Sequence, residues 1–406
     1  MSAAAMATLN SNTDLETGAQ MDFVSRLRHG ELGFVPVIFA LFAVFLVFHL
    51  ANPYFLTPRN LSNLTLQLGV LGIMALGVSL VLFIGEIDLS AGSVSGACAV
   101  VLVLLSTELG LPGLLAAASA IAVGAAIGWL HGTCVTLIGA PSFIVTLTGL
   151  LVWQGVQRML VGNQIGQMLI NDPLITGIAS TFIPSWMSLL LIGLTSAAAL
   201  IHFGRQWSAA VVGGIAEVAI WLARAALYPL LAIAVYAILS QHSGVPVLLL
   251  ILAALTLVLT VLTEHTPFGT HIFAVGGNAE AARRAGINVS GIRVLLFAMC
   301  SSMAAMSGIV AVSRQYAVDS NTGGGNLVLD AIAAAVIGGT SLFGGRGRIL
   351  GSLLGALVIG SVANGLDLLG QSANVKSIIT GLILLGAVSV DMIARKRRIR
   401  SGAAGA

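Results

Sequence analysis

Long stretches of this chain carry no Asp, Glu, Lys or Arg: Leu32 to Pro58, Asn60 to Gly85, Leu89 to Thr107, Ala225 to Thr263, Val294 to Ser313 and Ile349 to Leu366. Several exceed the roughly 20 apolar residues that cross a bilayer as a helix. In lipid every backbone polar group must find an internal partner, which leaves helices and closed barrels. Continuous apolar runs, as opposed to short segments of alternating polarity, select helices. Only 8% of the residues are charged, against about 25% in a soluble domain, so the chain cannot cover a water-facing surface. The expected fold class is all-α: a polytopic helical membrane protein with about 10–12 transmembrane or re-entrant helices.

A net charge of +3 is too small to argue for nucleic acid, and the placement of the basic residues says more. Arg26 and Arg28 precede the first apolar run. Arg283, Arg284 and Arg293 sit in a polar island, and Arg395, Lys396, Arg397, Arg398 and Arg400 follow the last run. The positive-inside rule places all three groups in the cytoplasm. The chain divides into a polar tail (1–31), a membrane domain (32–393) containing the island (264–293), and a basic tail (394–406). The run from Leu32 is long and lacks a persuasive cleavage site, so it reads as a retained span. Cys98, Cys134 and Cys300 are far apart in apolar surroundings and read as buried free thiols.

Parity then assigns spans at Leu32–Leu50, Leu64–Ile84, Leu89–Thr107, Leu111–Leu130, Phe143–Leu160 and Leu189–Ile201, with 161–185 as an outer loop. Gln206 to Arg224, apolar but carrying Glu217 and bounded by arginines, reads as an inner interfacial segment. Further spans follow at Ala225–Leu239, Val245–Thr263, Val294–Val312, Leu350–Ala363 and Ser377–Val390, while Ala331–Leu342 is expected to be re-entrant or broken. Gly85, Gly92-Ser93 and Gly96 recur at one fixed offset as Gly344, Gly351-Ser352 and Gly355. That points to two pseudo-repeated halves, an arrangement common in transporters.

Two polar passages stand out. In Gly85-Glu86-Ile87-Asp88-Leu89-Ser90-Ala91-Gly92-Ser93-Val94 a pair of carboxylates lies between two runs long enough to span. They admit three readings: caps of a turn at the inner surface, a proton or cation site, or a hinge in a permeation path. No Lys or His is spaced nearby as a relay partner. The island holds a short Ala-rich helix that ends at Gly286 with Arg283 and Arg284 in its last turn, a good C-terminal signature. Such a helix across a membrane surface is a docking element for a soluble protein. Lys376 and Lys396 are the only lysines, and neither follows the glycine-rich loop that a nucleotide site needs. The histidines are scattered singly and no serine has a triad-like context, so catalysis is not expected.

The island's Gly276-Gly277-Asn278, Glu280-Ala281-Ala282 and Ala285-Gly286-Ile287-Asn288-Val289 resemble the cytoplasmic coupling motif of bacterial ABC-transporter permeases that import monosaccharides. The acidic passage, Pro141-Ser142-Phe143-Ile144-Val145-Thr146-Leu147 and the segment from Asp330 through Gly338-Gly339-Thr340 to Leu342 are similar to further motifs of that family, in the same order. The likeness covers roughly 32–392 and is greatest to the xylose-type permeases. His131-Gly132 stands where the family often has Asn-Gly. The resemblance implies a homodimer in the bacterial inner membrane, with both termini cytoplasmic. ATPase subunits that bind ATP and Mg would dock inside, a periplasmic sugar-binding protein would dock outside, and no cofactor would be held by this chain. It places ATPase coupling at Gly277, Asn278, Glu280, Ala281, Ala282, Arg283, Arg284 and Gly286. Pathway or hinge candidates are Glu86, Asp88, Ser90, Gly92, Ser93, Phe143, Thr146, Asp330, Gly338, Gly339 and Thr340. The alternatives are an ion-coupled secondary transporter, or a permease of the same superfamily for branched-chain amino acids or nucleosides.

Overall fold

The structure, a computed structural model, describes residues 35–162, 167–204, 211 and 215–400. The polar tail 1–31 lies outside them. The helices are α1 (Val35–Ala51), α2 (Pro58–Phe83), α3 (Ala91–Thr107), α4 (Gly113–Ile138), α5 (Ser142–Val161), α6 (Pro173–Ser180), α7 (Ser185–Gly204) and α8 (Ile215–Leu239). They continue with α9 (Val247–Glu264), α10 (Pro267–Gly277), α11 (Ala279–Arg284), α12 (Val289–Gln315), α13 (Leu327–Ile337), α14 (Ile349–Leu368) and α15 (Ala373–Arg400). Among the described residues α2, α4, α5, α9, α12 and α14 are long and apolar enough to cross a membrane, and six shorter apolar stretches accompany them. Large apolar side chains such as Phe39, Phe42, Leu137, Leu151 and Leu257 stand exposed on the outside of the bundle. A water-soluble monomer does not carry so much exposed apolar surface.

Helices α2 and α12 form the centre. α12 packs most extensively on α4, then on α2 and α3, while α2 also receives α13 and α14. Lipid tails are as apolar as Leu, so close packing rather than water exclusion must hold these helices together. At the α4–α12 crossing Gly124, Gly128 and Gly132 lie one turn apart along one face. A Cβ on Gly124 would stand 2.7 Å from the Ser301 carbonyl oxygen, one on Gly132 would stand 2.6 Å from the Val294 Cα, and one on Gly128 would overlap the Phe297 carbonyl. The backbones therefore touch. Buried amides add polar contacts: Asn60 on α2 donates to the Asn364 Oδ1 on α14 at 2.7 Å and to the Phe55 carbonyl at 2.8 Å.

At the end of the bundle where α2 begins, two short antiparallel pairs close the loops. β1 (Met168–Leu169) pairs with β4 (Ala317–Val318), and β2 (Phe182–Ile183) pairs with β3 (Val245–Pro246). Asp172 ties this end together. Its Oδ1 accepts the Leu174 and Ile175 N–H groups at the start of α6, while its Oδ2 accepts the Gly113 N–H at the start of α4. Of the segment 161–185, residues 163–166 lie outside the described residues, and 167–185 form a structured cap and not merely a loop.

Several expected boundaries move. α4 runs on to Ile138, so His131 lies inside a helix and not beyond its end. The proposed interfacial segment 206–224 does not stand apart: from Ile215 it is continuous with 225–239 in α8. The basic tail from 394 likewise continues α15 as far as Arg400. Cys98 and Cys300 are buried thiols, whereas Cys134 is only half-buried. α13, at about 16 Å for its length, is a half-span, as expected of a broken segment. The repeated glycines fall in matching places. Gly85 and Gly344, with φ 75° and 80°, turn the chain after α2 and α13, and Gly92-Ser93 and Gly351-Ser352 lie in the first turns of α3 and α14.

The glycine face of α4 generates a test. Gly128→Leu should lower stability in detergent by about 1–3 kcal/mol or more, the usual cost of overpacking. Gly155→Leu on α5, where a Cβ meets nothing within 4 Å, should leave the unfolding midpoint unchanged.

Candidate functional site

Between α2 and α3 the chain is not helical. Non-helical backbone at membrane depth is tolerated only where the protein supplies its hydrogen bonds, and the first turns of α5 supply them here. Ser142 Oγ accepts the Ile87 N–H at 3.2 Å, and Thr146 Oγ1 accepts the Leu89 N–H at 3.1 Å. Ser142 and Thr146 are four residues apart and so share one face of α5. They form a rail along which the acidic segment lies extended. That is the physical reason for a Ser-x-x-x-Thr spacing at the start of this helix.

Asp88, with 1% of its surface exposed, anchors the turn into α3. Its Oδ1 accepts the Ser90 N–H at 2.9 Å and the Ser90 hydroxyl at 2.5 Å, an Asx-type turn. The chain of hydrogen bonds goes further. His131 Nδ1 lies 3.2 Å from Ser90 Oγ, and Trp153 Nε1 on α5 donates to His131 Nε2 at 3.0 Å. An indole N–H can only donate, so Nε2 is the acceptor and the ring is neutral with its proton on Nδ1. Nδ1–H then donates to Ser90 Oγ, whose own proton goes to Asp88. Four side chains from α4, α5 and the acidic segment are thereby polarised in one direction. Gly149 leaves the room for it: a Cβ there would stand 2.5 Å from His131 Nε2. Asp88 Oδ2 is buried, and the Cys300 thiol on α12 lies against the Asp88 carboxyl.

Glu86 takes the other direction. Its Oε1 lies 3.1 Å from Arg293 Nε in the second turn of α12, both side chains being less than a third exposed. The Nε–H is not aimed at the carboxylate, so the attraction is Coulombic. Of the readings open for the two carboxylates, the turn cap holds for Asp88, though inside the bundle and not at its surface. The expectation that no Lys or His serves as a partner fails for His131, which reaches Asp88 through Ser90, and Arg293 faces Glu86. Sequence reasoning missed His131, Trp153 and Gly149 as members of the cluster, and took Arg293 only as a marker of membrane side.

The remaining expected residues do not join this string of side-chain hydrogen bonds. Ser93 Oγ donates to the Ser90 carbonyl at 2.8 Å, and Gly92 abuts the Gly323 carbonyl. Phe143, at 49% exposed, faces out of the bundle, away from the segment its neighbours hold. Asp330 lies in the first turn of α13 with its Oδ1 buried and unpartnered. Gly338 closes that helix, Gly339 turns the chain at φ 91°, and Thr340 Oγ1 meets Ser352 Oγ at 3.3 Å. Among the described residues no group of His, Cys, Asp and Glu is arranged to hold a metal ion.

At the same end as the acidic segment, α10 and α11 form a pair sharing one residue. Asn278 ends α10 and caps α11, its Oδ1 accepting the Glu280 and Ala281 N–H groups at 3.1 and 3.0 Å. Glu280 favours the start of the helix and pairs with Arg283 and Arg284 in its last turn, at 3.2 and 3.3 Å. Acid first and base last complements the helix dipole. The helix stops as its sequence implies. Ile287 N–H bonds to the Ala282 carbonyl, Gly286 N–H bonds to the Arg283 carbonyl, and Gly286 takes φ 85°, which together make a Schellman motif. Gly277, Asn278, Glu280, Ala281, Arg283, Arg284 and Gly286 are exposed. Ala282 is the correction: it is 5% exposed and packs into the core, so it seats the helix and does not face outward.

Residues 60–388 match the family described as the branched-chain amino acid transport system / permease component. The xylose transport system permease protein XylH of Escherichia coli (strain K12) is 34% identical over 390 residues, which are 92% of this chain and 95% of that one. XylH of Haemophilus influenzae is 32% identical, covering 89% of this chain and 95% of its own. The ribose import permease protein RbsC of Escherichia coli (strain K12) is 32% identical, covering 87% and 92%. No solved structure matches the chain.

The rail gives a direct expectation. Thr146→Val keeps the shape of the side chain but leaves the partly buried Leu89 N–H without an acceptor, a loss of about 1–3 kcal/mol. Thr148→Val, at an exposed position two residues on, should cost little. Chemical denaturation of the two variants in the same detergent measures the difference.

Proposed function

The chain belongs to the permease family described as the branched-chain amino acid transport system / permease component, and on that premise we propose that it is the membrane-spanning subunit of an ATP-driven sugar importer. The observation that carries the reading is likeness over nearly the whole length to xylose and ribose permeases. The solute is a monosaccharide, a pentose such as xylose foremost. ATP hydrolysis resides in separate subunits that dock on the exposed face of α11. A secreted sugar-binding protein delivers solute at the opposite end, two copies of this chain lie side by side in the inner membrane, and both termini face the cytoplasm.

In this reading α11 is a preformed handle. Its ends are closed by Asn278 and Gly286, and Ala282 and Ile287 pin it to the bundle, so little ordering entropy is lost when a partner binds. The polar string from Trp153 to Asp88 holds the start of α3 in one conformation. Alternating access then moves the acidic segment as a unit. The buried Asp88 carboxyl favours a second reading, an ion-coupled transporter in which it receives a proton or cation.

Proteoliposomes separate the two readings. With this chain alone, a proton or sodium gradient should drive no xylose accumulation. Adding the ATPase and the binding protein should give uptake that depends on ATP. Gradient-driven uptake without an ATPase would promote the ion-coupled reading. Competition among xylose, ribose and leucine in the complete system identifies the solute class, with leucine expected to compete least.

Gly286→Val tests the handle. A β-branched residue tolerates a positive φ poorly, so the helix should lose its stop while insertion, set by the apolar spans, is unchanged. The expected outcome is a normally inserted permease that neither retains its ATPase on purification nor transports.

A further inference from the structure

Three separate segments meet backbone to backbone where α10 ends, with no side chain between them. The Gly345 N–H donates to the Phe83 carbonyl at the end of α2, at 2.9 Å. A Cβ on Gly276, in the last turn of α10, would overlap that same carbonyl and stand 2.5 Å from the Gly345 nitrogen. One on Gly344 would stand 2.7 Å from the Gly85 nitrogen and 2.9 Å from the Gly276 carbonyl oxygen. Gly85 and Gly344 are the matching positions of the sequence repeat, and both have positive φ. The two halves of the chain thus touch each other and the docking element at one point.

What joins this point is specific. Asn278 links α10 directly to α11, so a displacement of the docking helix reaches Gly276 across a single shared cap. Glu86 follows Gly85 immediately, and Asp88 is two residues further on. On the other side the loop runs back from Gly344 to Thr340, Gly339 and Gly338. Side chains absorb small displacements by changing rotamer, but backbones in contact have no such slack, and close-packed interiors transmit strain.

We propose that Gly85, Gly276 and Gly344 are positioning residues that form one joint, through which movement of α11 shifts both the Glu86–Ser90 segment and the α13–α14 loop. The proposal rests on the importer reading above and names the route by which a docked ATPase acts on the membrane domain. Neither half moves alone, because both are held against the same turn of α10.

Two glycines provide the test. Gly276→Ala forces the joint open, whereas a Cβ on Gly155 of α5 meets nothing within 4 Å. In the complete complex in proteoliposomes, Gly276→Ala should keep basal ATP hydrolysis and lower solute moved per ATP about tenfold, within the usual range of coupling factors. Gly155→Ala should transport as the unaltered protein does. Equal coupling in the two variants would overturn the joint. Should Gly276→Ala fail to assemble, the native joint is read with spin-label pairs at the exposed positions His271, Phe343 and Leu109. Between nucleotide-free and ATP-trapped states the 271–343 distance should hold while the 343–109 distance changes. A fixed 343–109 distance, or a 271–343 distance that changes, overturns the proposal. If the unaltered complex shows no ATP-dependent uptake at all, the importer reading itself falls and the joint with it.

Discussion

The bundle depends on backbones that touch. Between membrane helices there is no water to exclude, so attraction must come from dispersion contacts and hydrogen bonds at short range. The α4–α12 crossing achieves this by omitting side chains at Gly124, Gly128 and Gly132, and the α13–α14 crossing repeats it where Gly338 abuts the Gly351 carbonyl and Gly355 the Ala334 carbonyl. The same omission at Gly276 and Gly344 brings α10 onto both halves. The 48 glycines are therefore unequal: some set helix distances, some turn the chain, and others such as Gly155 touch nothing.

Against this close-packed frame, the acidic segment is the exception that the protein works to accommodate. A stretch of extended backbone inside the bundle has N–H groups that lipid cannot satisfy. Ser142 and Thr146 accept two of them, and Asp88 accepts the next. The hydrogen-bond string through Ser90, His131 and Trp153 then fixes how α3 starts. Charge is handled in the same way: Glu86 meets Arg293, while Asp88 takes its hydrogen bonds from Ser90. Polar groups at this depth hold an irregular segment in place, which a permease needs wherever a helix must break.

The α10–α11 pair shows the opposite economy. α11 has only six residues, too few for a stable helix on propensity alone, yet each end is closed and its charges suit the dipole. Local chemistry shapes it, and two apolar contacts, Ala282 and Ile287, attach it. Its other face is exposed.

Much of this was legible beforehand, and the division follows the range of the interactions. Charge-free runs longer than a bilayer is thick determine a helical membrane protein whatever the packing. The capping residues Asn278 and Gly286 determine a short helix, because caps act within a few residues. The Gly-Ser repeats marked matching turns for the same local reason. Helix contacts were not legible, since a span that is apolar all round shows no face in its sequence. Only tertiary structure brought His131 and Trp153 to Asp88, set Arg293 beside Glu86, buried Ala282 and turned Phe143 outward. These pairings join residues tens to hundreds of positions apart, and no local pattern of polarity records which helix lies next to which.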